Sequence, residues 1–167
     1  MLRKLGVEFE VLMPGVDELT GGDPEVEVLE NARRKAAAVE RGDLVIACDT
    51  DVVLDGKALG KPADGVEARS YLDRMSGRSH EVLSGLVVLV GDEERSGLER
   101  TTVVFKELSE VEKERYVAFG EWRGRSGGYA IQTLGSTLVE RVEGSVSNVV
   151  GLPVGLLLEL APELFRG

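Results

Sequence analysis

The chain of 167 residues holds a single cysteine, Cys48, and a single histidine, His80. One cysteine excludes an intrachain disulfide, and one histidine leaves no Cys/His cluster for a structural zinc ion. A Ser-His-Asp triad could use only His80, which follows Gly77-Arg-Ser79 at a strand entry and there reads as a hydrogen-bonded structural residue. No run approaches the roughly 20 apolar residues of a membrane span, and the first residues carry no signal-peptide core. A reducing, cytoplasmic setting is therefore expected. Positive charge is also in deficit: 20 Lys and Arg against 30 Asp and Glu give a net charge of −10. Such a field repels the phosphates of a nucleic-acid polymer and an anionic membrane surface, so neither is an expected partner. An anionic ligand would have to be met by a local pocket.

What is present suits a folded domain. Hydrophobic residues make up 43% and charged ones 30%, which is the profile of one globular unit. Met1 to Gly6 reads as a last helical turn closed by glycine. Val7 to Leu12 alternates as a half-buried strand does. Asp23, Pro24, Glu25 and Glu27 open a helix that Gly42 should stop, with Leu29, Ala32, Ala36 and Val39 on its apolar stripe and Lys35 at the edge. Leu44 to Cys48 is a continuous apolar run of strand length whose end delivers Asp49. Asp55-Gly56 marks a hairpin between Val52–Leu54 and Lys57–Leu59. A helix follows from Asp64 to Met75, then strands over Glu81–Val90 and Leu98–Phe105. Ser109 and Glu112 form a capping box for a helix ending at Gly120. Tyr129–Gln132 and Thr137–Val142 read as two further strands, and Pro153 starts a last helix that Pro162 interrupts. This order predicts an α/β fold with a mixed sheet and crossover helices.

Several residues carry candidate chemistry. Asp49, in Ala47-Cys-Asp-Thr-Asp51, follows a buried strand, where α/β folds place ligands; it could bind a divalent cation, orient water or simply cap a turn. Lys61 lies on the turn Gly60-Lys-Pro62. This is no P-loop: the spacing from Gly56 is one residue short, and Pro62 replaces the metal-binding hydroxyl. By itself Lys61 reads as a solvated surface lysine, and Lys35 as one that snorkels to water. Asp17 and Glu18 lie in an acidic loop, either solvated or offering oxygen ligands to a hard cation. Gln132 ends the segment Gly127-Gly-Tyr-Ala-Ile-Gln132, whose glycines let backbone approach a ligand. Asn148-Val-Val-Gly-Leu-Pro153 reads as mainly structural.

Two resemblances give these residues roles. Asp49-Thr-Asp51-Val-Val53 resembles the motif of haloacid-dehalogenase-like phosphatases, which implies Asp49 as nucleophile and Asp51 as general acid. The second resemblance runs nearly end to end. Asp17-Glu18, Leu29-Glu-Asn-Ala-Arg-Arg-Lys-Ala36, Cys48-Asp-Thr50, Leu59-Gly-Lys-Pro62, Ser76-Gly-Arg-Ser-His80, Gly128-Tyr-Ala-Ile-Gln132 and Asn148-Val-Val-Gly-Leu-Pro153 together resemble the Maf family.

The Maf resemblance implies one domain over residues 1–167 with an α/β fold of the Maf/ITPase-like type: an elongated mixed twisted sheet flanked by helices, two lobes and a cleft. It implies a nucleoside triphosphate pyrophosphatase that keeps nucleotide pools clean, with a link to septum formation. Asp-Thr and Ile-Gln at their positions place the chain nearest the branch acting on dTTP and UTP. The implied roles are Asp49, Lys61 and Gln132 in catalysis; Lys35, Thr50 and Glu18 in substrate binding; and Asp49 and Glu18 on a divalent cation, Mg²⁺, Mn²⁺ or Co²⁺. A homodimer is implied as well. The family's Ser-x-Ser-Pro-Arg-Arg loop has no counterpart here, which implies an N-terminally incomplete sequence with impaired activity, or a non-catalytic nucleotide-binding regulator. Asp51, Ser126 and Thr133 stand where the family usually has an apolar residue, Ala and Gly.

Overall fold

A computed structural model describes residues 1–39 and 44–165. Among the described residues five α-helices, α1 (Pro24–Ala37), α2 (Gly65–Met75), α3 (Glu110–Phe119), α4 (Val146–Val149) and α5 (Val154–Leu160), surround one sheet. Its strands are β1 (Leu44–Leu54), β2 (Lys57–Ala58), β3 (Ser79–Val90), β4 (Glu93–Phe105) and β5 (Val139–Glu143), in the order β2-β1-β3-β4-β5. All four pairings are antiparallel. The α/β class holds, but the expected mixed sheet is antiparallel among the described residues, because β3 and β4 form one long hairpin beside β1. Gly91, at φ 57°, gives that hairpin a two-residue turn where a longer polar connection was expected.

Both faces of β1 and β3 are covered, which explains their continuous apolar character. Alternate residues lie on opposite faces of a strand. Ala47 and Val87 pack beneath Ala32 and Ala36 of α1. On the other face Leu86 and Val88 meet Leu157 of α5, Ala161, Leu2 and Val7. The larger core gathers Leu54, Leu72, Met75, Phe105, Tyr116 and Leu138 around α2 and α3. Gly85, directly opposite Asp49 in the β1/β3 register, lets α1 approach: a Cβ there would stand 2.4 Å from the Val28 carbonyl oxygen.

The local signals largely act as written. Asp23 caps α1 with Pro24 at its first position. Ser109 and Glu112 make the reciprocal capping box. Asp55 and Gly56 both take positive φ in the β1–β2 turn. Gly6 ends a 3₁₀ turn over Leu2–Leu5; α1 ends at Ala37, short of the Val39 expected on its stripe, and the expected stop at Gly42 lies outside the described residues.

Two expected strands are absent among the described residues. Residues 7–12 form no ladder, and only Val7 of the alternating set is buried, while Phe9, Val11 and Leu12 face solvent. Alternation makes a strand only where a neighbour takes up its backbone hydrogen bonds, and here none pairs with it. In the expected strand Tyr129–Gln132, Tyr129 is extended but unpaired and residues 131–133 form a turn, where the chain folds back so tightly that a Cβ on Gly135 would stand 2.2 Å from the Ala130 carbonyl oxygen.

Candidate active site

Asp49 lies within β1, which continues to Leu54, and not at a strand mouth as expected. Its carboxylate is on the face covered by α1. There Val28, Asn31 and Lys35 follow one another at three- and four-residue steps along the helix. The Lys35 ammonium donates to Asp49 Oδ1, and Asn31 Nδ2 donates to Oδ2 at 3.1 Å. Asn31 also clasps the preceding loop, accepting from the Leu19 N–H at 2.7 Å and donating to the Leu19 carbonyl at 3.1 Å. That grip holds Glu18 over the helix.

Glu18 joins the two distant lysines. Its Oε1 lies 2.7 Å from Lys35 Nζ and its Oε2 lies 3.1 Å from Lys61 Nζ. Hydrogen bonding from Lys35 draws the Glu18 carboxyl below its ordinary range, against the opposing effect of burial. Burial would lower Lys35, but its contacts with Asp49 and Glu18 outweigh that, so the ammonium is held above its usual value. The Lys61 side chain is 54% exposed, that of Lys35 only 21%.

Thr50 belongs to the opposite face. It lines a cavity of about 180 Å³ with Lys61, Arg125, Ser126, Gln132 and Gly151 among its walls. Its hydroxyl shares a 2.7 Å hydrogen bond with Ser84. Burial pushes the neighbouring Cys48 thiol up to about 11, so it is no thiolate nucleophile. The expected residues thus form two groups. Glu18, Lys35, Asp49 and Lys61 meet in one charged cluster, while Thr50 and the exposed Gln132 line the cavity. Lys61 belongs to both, since it contacts Glu18 and also lines the cavity.

Sequence reasoning missed Asn31, although a polar residue at helical spacing inside an apolar stripe was a visible signal. It also missed Arg125 and Ser126, which take their places through loop geometry alone. The two expectations that named structural residues hold. His80 is 3% exposed and shares a 2.8 Å hydrogen bond with the Tyr129 hydroxyl. Asn148 is fully buried and donates to the Val82 carbonyl at 3.0 Å.

The phosphatase resemblance loses its structural basis. Its nucleophile belongs at the end of a strand in a parallel sheet, whereas Asp49 sits inside an antiparallel one, and the Asp51 carboxylate accepts a hydrogen bond from Ser126.

Two carboxylates and two ammonium groups thus gather beside a cavity in an α/β protein. The chain belongs to the Maf family: the family model for Maf-like protein matches residues 1–164. A dTTP/UTP pyrophosphatase of Pyrococcus furiosus is 44% identical over 147 residues, covering 86% of this chain and 77% of that one. Proteins of the same description from Symbiobacterium thermophilum and Deinococcus radiodurans are 42% and 43% identical, with 100% and 96% of this chain covered and 91% and 84% of theirs.

Proposed function

We propose that this chain is a nucleoside triphosphate pyrophosphatase that hydrolyses dTTP, UTP and related pyrimidine nucleotides to the monophosphate and pyrophosphate. The observation that carries the reading is the convergence of Lys35 and Lys61 on Glu18, with Lys35 also on Asp49. Without substrate, these charges satisfy one another. A triphosphate entering beside them would draw both ammonium groups onto its oxygens and release the carboxylates.

In this reading Asp49 orients a water molecule and takes its proton as the oxygen attacks the α-phosphorus. The bond from that phosphorus to the bridging oxygen breaks, and the electron pair leaves with pyrophosphate. Lys35 and Lys61 stabilise the growing negative charge in a partly sheltered site. Asn31 keeps the Asp49 carboxylate turned toward the reacting centre. Gln132 and Thr50 position the nucleotide from the cavity side.

A divalent cation fits the donor set. The Lys35 nitrogen is contacted by a carboxylate oxygen of Glu18 and one of Asp49, so a point charge placed between these groups reaches both. Among the described residues no three His, Cys, Asp or Glu side chains form a site. Two carboxylates completed by water and substrate phosphates are the usual surroundings of Mg²⁺. Glu18 and Asp49 would hold the ion, and its chemistry is to neutralise phosphate oxygens and acidify water. The family resemblance brings a homodimer and a cytoplasmic location into the same proposal. No helix among the described residues is long and apolar enough to cross a membrane.

The test is product analysis with dTTP or UTP and Mg²⁺ or Mn²⁺. Equal yields of monophosphate and pyrophosphate support the reading, inorganic phosphate alone indicates a phosphatase, and binding without turnover indicates a regulator. Chelation with EDTA should stop the reaction. Asp49→Asn should lower kcat by about 10²-fold or more with the fold intact; full activity in that variant removes Asp49 from the mechanism.

A further inference from the structure

The 124–132 segment crosses the open edge of β1 with little regular structure of its own, yet it supplies half of the cavity wall, including Arg125, Tyr129 and Gln132. Ser126 fastens it. The Ser126 hydroxyl donates to the Asp51 carboxylate and accepts from the Val52 N–H at 3.1 Å. Next to it, the Gly127 N–H donates to the Gly60 carbonyl at 2.7 Å, so the segment is also tied to the turn bearing Lys61. Gly127 permits this contact because it takes φ +69° and lies where a Cβ would come within 2.5 Å of Val52.

Asp51 is two residues beyond Asp49 on the same face of β1, and it is half-buried. Val52 is on the other face and lines the cavity. Ser126 therefore bonds to the strand at two successive residues, one on the face that carries Asp49 and one that lines the cavity. A half-buried carboxylate needs a donor, and an irregular loop needs an anchor; each supplies the other.

We propose that Asp51 is a positioning residue which, through Ser126, fixes the 124–132 loop and with it Gln132 and the cavity wall in register with Asp49. Its role is to accept the hydroxyl, for which a neutral amide oxygen serves as well as a carboxylate. It takes no proton from substrate and holds no reacting atom.

The kinetic part of the test rests on the pyrophosphatase reading. Ser126→Ala should raise KM for dTTP about fivefold or more, with kcat changed less. Asp51→Asn retains the acceptor and should keep kcat within about threefold. Asp51→Val should shift KM in the same direction as Ser126→Ala, and the double variant Asp51→Val/Ser126→Ala should be no worse than Ser126→Ala alone, since that variant already removes the bond to Asp51 along with the one from the Val52 N–H. A kcat loss of a hundredfold in Asp51→Asn with KM unchanged would overturn the assignment, as would a kinetically silent Ser126→Ala or additive effects in the double variant. Hydrogen exchange of the substrate-free protein reads the strap independently of turnover. Ser126→Ala should speed exchange over 124–132 while β3 stays protected, and unchanged exchange there would refute the anchor. If the wild-type chain fails to hydrolyse dTTP or UTP, the functional reading falls while the exchange measurement still judges the strap.

Discussion

Lys35 and Asp49, fourteen positions apart in sequence, meet as an ammonium donating to a carboxylate across the packing of α1 on β1. The contact turns helix placement into site chemistry. Lys35 is at the edge of the apolar stripe that seats α1, so whatever shifts the helix shifts the charge beside Asp49.

Lys35 and Lys61 should differ in their response to salt. Replacing either by Met is expected to lower kcat/KM by about 10²-fold at low ionic strength. Lys61 is more than half exposed, so screening removes its advantage, and the gap between Lys61→Met and wild type should narrow as NaCl is raised. Lys35 is shielded, and the Lys35→Met deficit should persist. Steady-state kinetics over a salt series checks this; equal salt responses would contradict the burial argument.

Gly85→Ala should impair catalysis from beneath the site. The added Cβ would stand 2.4 Å from the Val28 carbonyl oxygen and 2.5 Å from Leu29 Cα, both backbone atoms of α1. The helix must move outward, taking Asn31 and Lys35 away from Asp49. A stability loss of about 3 kcal/mol is expected from such overpacking, together with a kcat loss of at least about tenfold in the fraction that stays folded. Urea unfolding and kinetics measured below the transition separate the two effects.

His80 should make the fold sensitive to mild acid. Burial lowers its pKa from 6.5 to about 4, and it packs edge-on against Phe105 with Tyr129 at hydrogen-bonding distance. Between those values the unfolded chain binds a proton that the folded chain refuses. The stability contributed by neutral His80 is therefore complete above about pH 6.5 and is lost as pH falls toward 4, at most roughly 3 kcal/mol. Denaturation midpoints at several pH values should fall less steeply for His80→Leu than for wild type. Parallel curves would show that the histidine is not the sensor.

Local sequence chemistry determined the elements. Asp23-Pro24, Ser109 with Glu112, and Asp55-Gly56 are signals that need only their neighbours, because caps and two-residue turns are closed by bonds within a few residues. The motifs taken together likewise single out Glu18, Lys35, Asp49 and Lys61, which the fold brings into contact. Tertiary structure decided what required a distant partner. Val7–Leu12 has the alternation of a strand and no ladder, since pairing depends on a neighbour outside the segment. Thr50 is adjacent to Asp49 in sequence and opposite to it in space, because β1 is one strand thick and successive side chains leave by different faces. Asn31 and Ser126 found their partners only through the packing of α1 over Gly85 and the passage of the 124–132 loop beside β1: a hydrogen bond over long sequence separation is set by packing, which no short stretch of residues encodes.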